Sequence, residues 1–255
     1  MGEAQVISFP NDDALAAAVA DAWLGAIGEA EAAGRKFLVA LSGGRVTKKL
    51  FGQVVARSQQ QGVSFANVEF FWADERCIPP DDEESNFRLA NECLFGPLQT
   101  KPESIHRIRG ELAQSAAVKA ALDELVRVGG AEPGAMPVLD LILLGMGEDG
   151  HVASLFPRNA MTSRDRTSVY LAVENSPKPP PKRVTLGNGP IYAARSVWVL
   201  ASGSGKEGAL RESLSPSGHT PLAQVIKNRA ATKIFTDIPH SWASRIRLDG
   251  FRRDS

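Results

Sequence analysis

The sequence has little cysteine and little histidine: Cys77 and Cys93 are its two cysteines, and it has four histidines in 255 residues. Two cysteines are too few for a disulfide framework, and the scattered histidines show no spacing typical of a zinc site. We therefore interpret both cysteines as structural thiols, and we expect no metal site.

An excess of charge and long apolar runs are also absent. The 29 lysines and arginines balance the 29 aspartates and glutamates, whereas sequence-independent binding of nucleic acid requires a basic surface. No apolar run approaches the roughly 18 residues of a membrane span, and residues 1–9 lack the parts of a signal peptide. We expect no nucleic-acid or membrane partner, and a cytoplasmic location.

What the sequence does contain is an alternation of helical periodicity and short apolar runs. Leu15, Val19, Trp23 and Ile27 recur at a four-residue step, which predicts a helix from Asn11 to Ala33 with one buried face. Runs too short for helices predict buried strands. The predicted strands are Phe37 to Leu41, Val68 to Trp72, Leu139 to Leu144, Val197 to Ala201 and Ile234 to Thr236.

Further helices are predicted between these strands, over 50–56, 87–94, 113–128, 207–214 and 222–227. The alternation predicts an α/β fold with a doubly wound, mostly parallel sheet flanked by helices, similar to a Rossmann fold. We expect residues 1–255 to form a single domain. The stretch from Gly129 to Pro137 is either a surface loop or a seam between two lobes.

Polar or glycine-rich clusters follow the predicted strands at their carboxyl ends. They are Ser42 to Gly44, Asp74 to Arg76, Gly145 to His151 and Gly203 to Lys206. In open α/β sheets ligands bind at this edge. The sequence therefore predicts one site built from all of these clusters.

The first and last of the clusters suit phosphate binding. Ser42-Gly43-Gly44 precedes a helix, so backbone N–H groups and the helix dipole can meet a phosphate there, and Arg45 adds charge. A simple glycine turn is the alternative. Lys206 follows Gly203 and Gly205 in a segment that matches the P-loop pattern only in part. It either binds a phosphate or is a solvated lysine.

Gly145 to Gly150 has the glycine pattern of a dinucleotide-binding turn, which would indicate a nicotinamide enzyme. Pro157 follows too soon for the long helix that holds a pyrophosphate. A loop that presents Asp149 and His151 is the better interpretation, so we expect no cofactor. Histidine titrates near neutrality and suits general-base work beside a carboxylate, although a lone histidine is more often structural.

Charged residues also follow Trp72 and accompany a proline-rich segment. Asp74 to Arg76 is either a salt-bridged turn or part of a ligand site in which Arg76 binds an oxyanion. Lys178 and Arg183 flank prolines that stiffen the chain. This segment is a disordered linker, a docking ligand for another protein, or a rigid anion-binding arm.

With these features in order, the sequence resembles the 6-phosphogluconolactonase family of the glucosamine/galactosamine-6-phosphate isomerase superfamily. The resemblance extends from about Phe37 to Asp237. It is carried by Trp72 to Arg76, Pro79 to Asn86, Leu144 to Pro157 and Ser176 to Leu186. It implies the fold of sugar-phosphate isomerases, no catalytic metal, and hydrolysis of 6-phosphogluconolactone in the oxidative pentose phosphate pathway.

The resemblance also implies roles for individual residues. His151 would deprotonate the water that attacks the lactone carbonyl, with Asp149 in support, and Arg76 would stabilise the oxyanion. The residues implied or predicted to hold the substrate and its phosphate are Ser42, Gly43, Gly44, Arg45, Asp74, Lys178, Arg183 and Lys206.

Some positions depart from the family pattern. Arg45-Val46-Thr47 stands where the family usually has Ser-Thr-Pro, Gly187 to Pro190 replaces a Thr-Leu-Pro-like stretch, and Arg158 replaces a glycine. We expect these changes to affect substrate affinity rather than the class of reaction.

Other functions remain open. One is that of glucosamine-6-phosphate deaminase or isomerase, and another is a non-catalytic sugar-phosphate-binding protein. We expect a small-molecule sugar-phosphate lactone as the partner, and a monomer or a weak homo-oligomer.

Overall fold

The computed structural model describes residues 2–132, 134–157 and 167–239. In this part of the chain, parallel strands form the central sheet: β1 (Glu3–Ser8), β2 (Phe37–Leu41), β3 (Val68–Trp72), β5 (Leu141–Gly145), β8 (Ser196–Ala201) and β9 (Ala231–Thr236). Their order is β1-β9-β8-β5-β2-β3, and every pair of neighbours is parallel. The predicted parallel, doubly wound sheet is confirmed.

A small antiparallel sheet adjoins the carboxyl edge of the central sheet. Its strands are β4 (Asp74–Arg76), β6 (Tyr170–Val173) and β7 (Arg183–Leu186), in the order β4-β7-β6. Ala73 joins the two sheets, because its N–H donates to Leu41 O at 2.7 Å and its carbonyl accepts from Leu186 N at 2.7 Å. None of these short strands is among the predicted ones.

Helices occupy the intervals between the strands. They are α1 (Asp12–Ala32), α2 (Arg45–Gln61), α3 (Asn86–Ala90), α4 (Gly96–Leu98), α5 (Gln114–Gly129), α6 (Asn188–Ala193), α7 (Glu207–Leu214) and α8 (Pro221–Lys227). A π-helix covers Asn91–Phe95, and short 3-10 helices cover Pro102–Ser104 and Ser204–Lys206. The helix predicted over 87–94 is thus α3 continued by the π-helix.

The hydrophobic core lies around the central sheet. β2 is buried at every residue, as expected for a strand covered on both faces. The predicted helix face is confirmed, since Leu15, Val19, Trp23 and Ile27 are each 0% exposed. The single domain over 1–255 and the seam at 129–137 stay predictions. None of the helices in the described residues combines the length and the apolar composition that a bilayer crossing requires.

A charged network ties β3 to α5. The His106 ring lies between Glu69, at 2.7 Å, and Glu124, at 2.8 Å, and Arg127 pairs with Glu124 at 2.6 Å. The Arg127 hydrogen bond lowers the pKa of Glu124 to about 2 against the opposing effect of burial, and His106 contributes in the same direction. Glu124 is therefore expected to stabilise the folded chain only while it is ionised.

Glu124→Gln tests this expectation through the pH dependence of stability. A lowered pKa gives stability that is present above the ordinary value of 4.5 and is lost as pH falls towards about 2. The variant should have a smaller free energy of unfolding at pH 7, and its deficit should shrink between pH 4.5 and pH 2. Denaturant unfolding measures this, with the exposed Glu31→Gln as control. If the loss of unfolding free energy in Glu124→Gln stayed constant down to pH 2, this would contradict a stabilising role for the ionised Glu124 side chain.

Candidate active site

The order of the strands places a crevice at the carboxyl edge of the sheet. β2 and β5 are neighbours. After β2 the chain re-enters the central sheet at β3 on one side, and after β5 it re-enters at β8 on the other side, having formed β6 and β7 of the small sheet on the way. The loops that follow such a pair of strands diverge, and ligands bind between them. A cavity of about 330 Å³ lies at this point, within the range of small-ligand sites.

Most of the predicted site residues meet in this cavity. Those in its lining are Ser42, Gly43, Gly44, Asp74, Arg76, His151, Lys178, Arg183 and Lys206. Asp149 is outside the lining but contacts His151, and Arg45, which follows Gly44 of the lining, acts electrostatically on Lys206. The structure therefore brings the predicted clusters together, while their chemical roles stay predictions.

Glu84, Asn86, Ala153 and Pro179 also line the cavity without having been predicted. Asn86 packs against Gly43 so closely that a Cβ on Gly43 would lie 2.0 Å from Asn86 Oδ1. Its Nδ2 donates to the Asp74 carbonyl at 2.8 Å. The one sequence signal for Asn86 is its place in a segment that resembles the family.

The turn after β2 is open to an anion. Gly44 has φ 116°, in a region that favours glycine, and α2 begins at the next residue without a side-chain cap. Ser42 is 6% exposed, and its hydroxyl has no hydrogen-bond partner in the described residues. Helix N-termini of this kind bind anions through free N–H groups and the helix dipole.

The loop after β5 holds His151 against Asp149. His151 Nδ1 and Asp149 Oδ1 are 2.6 Å apart. Because the carboxylate accepts from Nδ1–H, Nε2 of a neutral ring is left as the basic nitrogen. Burial raises the pKa of Asp149, but the hydrogen bond and charge of His151 outweigh it and lower that pKa. Asp149 is therefore ionised at neutral pH and can stabilise an imidazolium.

Arg76 and Arg183 face the cavity from β4 and β7. Arg76 donates from Nη1 to the Glu84 carbonyl and lies 3.4 Å from the Glu84 carboxylate, while its buried Nε has no partner in the described residues. Arg183 donates from Nε and Nη2 to the carbonyls of Lys178, Pro179 and Pro180. Burial, helped by Arg76, lowers the pKa of Arg183, yet a guanidinium stays charged in proteins.

Lys206 reaches the cavity from the 3-10 turn after β8. Burial, and then the charge of Arg45, lowers the pKa of its ammonium group, and Glu148 opposes them. Asp237 fixes the turn, because it accepts from Gly203 N at 3.0 Å and from the Ser202 hydroxyl at 2.8 Å. The cavity is thus polar, and its lining includes the cations Arg76, Arg183 and Lys206. In the described residues, no group of three or more His, Cys, Asp or Glu side chains could hold a metal ion.

The family model for glucosamine-6-phosphate isomerases/6-phosphogluconolactonase matches residues 10–235. The chain belongs to this family. It is 37% identical over 206 residues to the 6-phosphogluconolactonase of Mycobacterium tuberculosis, covering 79% of this chain and 82% of that protein. It is 33% identical over 229 residues to that of Mycobacterium leprae, covering 88% and 92%. The crystal structure of devB protein superposes with a TM-score of 0.83 at 30% identity, covering 96% and 100%.

The departures from the family pattern fall on different parts of the structure. Arg45 begins α2 directly after Gly44 of the cavity lining, at a position where the family usually has Ser. Gly187 caps α6, and residues 187–190 are not in the cavity lining. Arg158 lies outside the described residues. Of the departures that fall within the described residues, Arg45 is therefore the one that stands next to the site.

Proposed function

We propose that the chain hydrolyses 6-phospho-D-glucono-1,5-lactone to 6-phospho-D-gluconate, a step of the oxidative pentose phosphate pathway. The observation that carries the proposal is the His151–Asp149 pair, 2.6 Å apart, beside a cavity whose other walls present arginine and lysine. The Mycobacterium relatives named 6-phosphogluconolactonase support it.

In the proposed reaction His151 Nε2 removes a proton from water, and the resulting hydroxide attacks the lactone carbonyl carbon. Arg76 stabilises the oxyanion of the tetrahedral intermediate, an interaction typically worth about 3 kcal/mol of the barrier. When the intermediate collapses, the ring C–O bond breaks, and the imidazolium returns its proton to the departing ring oxygen. Asp149 holds the ring in its tautomer and stabilises its charged form throughout.

The substrate phosphate would bind in the turn after β2. Ser42, Gly43 and Gly44 offer N–H groups and a buried hydroxyl without a partner in the described residues, and Arg183 and Lys206 add charge from the other walls. Charge-assisted hydrogen bonds of this kind are stronger than neutral ones. The proposal therefore includes a preference for phosphorylated over unphosphorylated lactones.

Arg45, Lys178 and Asp74 have supporting places in the same proposal. Arg45 and Lys178 both act electrostatically on Lys206 and would draw the dianion towards it. Asp74 is 5% exposed and lines the cavity. A buried carboxylate there would accept hydrogen bonds from the sugar hydroxyls.

The proposal is tested by the rate of 6-phosphogluconate formation from freshly made lactone, corrected for spontaneous hydrolysis and measured with and without a chelator. Fast turnover that the chelator does not change is expected. The same protein is then assayed with glucosamine 6-phosphate, because the family includes isomerases of that substrate. Ammonia release without lactone hydrolysis would replace the proposal, and tight product binding without turnover would indicate a sugar-phosphate-binding protein.

Lys206→Ala is expected to raise KM for the lactone about 10- to 100-fold, which corresponds to one charged hydrogen bond. If Lys206 holds the phosphate equally in the ground and transition states, kcat should change little. Steady-state kinetics separate the two constants, and Lys101→Ala, an exposed lysine outside the cavity, is the matched control. A fall in kcat at constant KM would exclude the phosphate-binding role.

The expected cytoplasmic location and the monomeric or weakly oligomeric state remain predictions. Cell fractionation and light scattering would test them.

A further inference from the structure

Ser154 lies behind the cavity wall and outside the lining. It is 0% exposed, and its hydroxyl donates to Asp74 Oδ2 at 2.6 Å. The same oxygen accepts from Arg183 Nη1 in a longer contact of 3.5 Å. One buried hydroxyl therefore connects a carboxylate and a guanidinium that both face the cavity.

Each of the two charged groups keeps bonding capacity for a ligand. Asp74 uses Oδ2 for Ser154, whereas among the described residues Oδ1 has only a long contact of 3.4 Å with Asn86 Nδ2. The Nε and Nη2 atoms of Arg183 are bound to backbone carbonyls, which leaves Nη1 with the weak Ser154 contact. The hydroxyl thus fixes the orientation of both groups without using up the atoms that a substrate would meet.

The backbone around Ser154 is shaped for this contact. Ala153 has φ 49°, a conformation that costs a residue with a Cβ roughly 1 kcal/mol or more. Bridges between Met146 and Val152 and between Val152 and Leu155 fold the segment back on itself. Ser154 N donates to the Thr185 hydroxyl at 3.2 Å, so the loop after β5 is fastened to β7 as well as to β4.

On these contacts, and resting on the proposed function, we infer that Ser154 is a positioning residue for substrate binding. Its hydroxyl holds Asp74 to accept a sugar hydroxyl and Arg183 to receive an anionic group of the substrate. Without it, a buried carboxylate oxygen loses its hydrogen bond, which is unfavourable. Asp74 then turns away to regain a partner.

Ser154→Ala is expected to raise KM for the lactone about 30-fold, the scale of a lost hydrogen bond to a charged group, with a much smaller change in kcat. The Kd of 6-phosphogluconate, measured by calorimetry, should rise by a similar factor. The matched control is Thr185→Val, which removes a neighbouring hydroxyl that is also 0% exposed. It should lower the thermal midpoint while leaving KM and Kd within about twofold, because the hydrogen bonds of the Thr185 hydroxyl are to backbone atoms of Ala73, Ser154 and Leu186 and to neither charged side chain.

A double-mutant cycle with Asp74→Asn separates positioning from packing. If Ser154 acts through Asp74, then Ser154→Ala should change Kd by less than about threefold in the Asp74→Asn background. Equal effects of Ser154→Ala on Kd in both backgrounds would overturn the inference. So would a Ser154→Ala protein whose KM and Kd, corrected for the fraction that is folded, stay within about twofold of the wild type, as expected for Thr185→Val. A wild-type protein that binds 6-phosphogluconate but hydrolyses no lactone would contradict the proposed function alone, and the Kd ratios would still decide the role of Ser154.

Discussion

His151→Ala is expected to lower kcat for lactone hydrolysis about 10³-fold, the usual scale of a lost general base. The substitution removes Nε2, the nitrogen that the 2.6 Å contact between Nδ1 and Asp149 leaves free to accept a proton. Binding of the product should change little, because the phosphate contacts lie on other loops. Initial rates and calorimetry on the same preparation measure both quantities.

The control for this prediction is His219→Ala, which removes an exposed histidine outside the cavity and should leave the rate unchanged. Added imidazole should restore part of the activity of His151→Ala, since a diffusible base can enter the space left by the ring. Comparable turnover in a folded His151→Ala protein would remove His151 from the mechanism.

Gly147→Ala should have the second largest effect, although it adds one methyl group to a loop. A Cβ at Gly147 would lie 2.0 Å from His151 Nδ1 and 2.8 Å from Asp149 Oδ1. The ring must move to make room, so its hydrogen bond to Asp149 is lost. A displacement of about 1 Å at a catalytic group lowers the rate about 100-fold, and we expect a fall in kcat of that order.

Gly145→Ala, at the end of β5 where this loop begins, is the matched comparison, because the nearest atom to its added Cβ would be Gly43 O at an ordinary 3.7 Å. Its rate should fall far less than that of Gly147→Ala. The thermal midpoints of unfolding of both variants should be close to that of the wild type. Equal losses in the two variants would indicate a general sensitivity of the loop rather than displacement of His151.

The predictable part of the fold was the part with a strong hydrophobic pattern. β2 and β3 are nearly continuous apolar runs that are buried on both faces. β1 has a mixed pattern of exposed and half-buried residues at the edge of the sheet, which gives a weak signal. β4 consists of Asp74, Glu75 and Arg76, three charged residues that are typical of a turn.

Tertiary contacts explain why the sequence pattern does not predict the strand β4. Glu75 is 3% exposed, and its carboxylate accepts N–H groups from Arg76, Asn86 and Phe87. Burial raises its pKa, and these hydrogen bonds oppose that effect. The alternatives considered for this segment, a salt-bridged turn or a ligand site, did not include a carboxylate that caps the next helix. Such a partner set depends on chain segments that come together only in the fold.

The site was predictable to the extent that it follows the strand ends. Ser42, His151 and Lys206 come from different loops and meet because the carboxyl ends of parallel strands share one edge. Asn86 and Ser154 lie outside the clusters that directly follow the predicted strands, and their places depend on contacts with Gly43 and Asp74. That such residues belong to the site can be recognised only from the structure.

The pairing of β1 with β9 affects how the chain folds as it leaves the ribosome. Val6 lies opposite Ile234, and at about 5–20 residues per second the roughly 230 residues between them take on the order of ten to fifty seconds to synthesise. Because β9 lies between β1 and β8 in the sheet, both β1 and the adjacent edge of β8 are without a pairing strand until β9 has been made. Unpaired edges of this kind are prone to aggregation. β9, the last of the described strands to be made, must therefore insert between two strands that already exist.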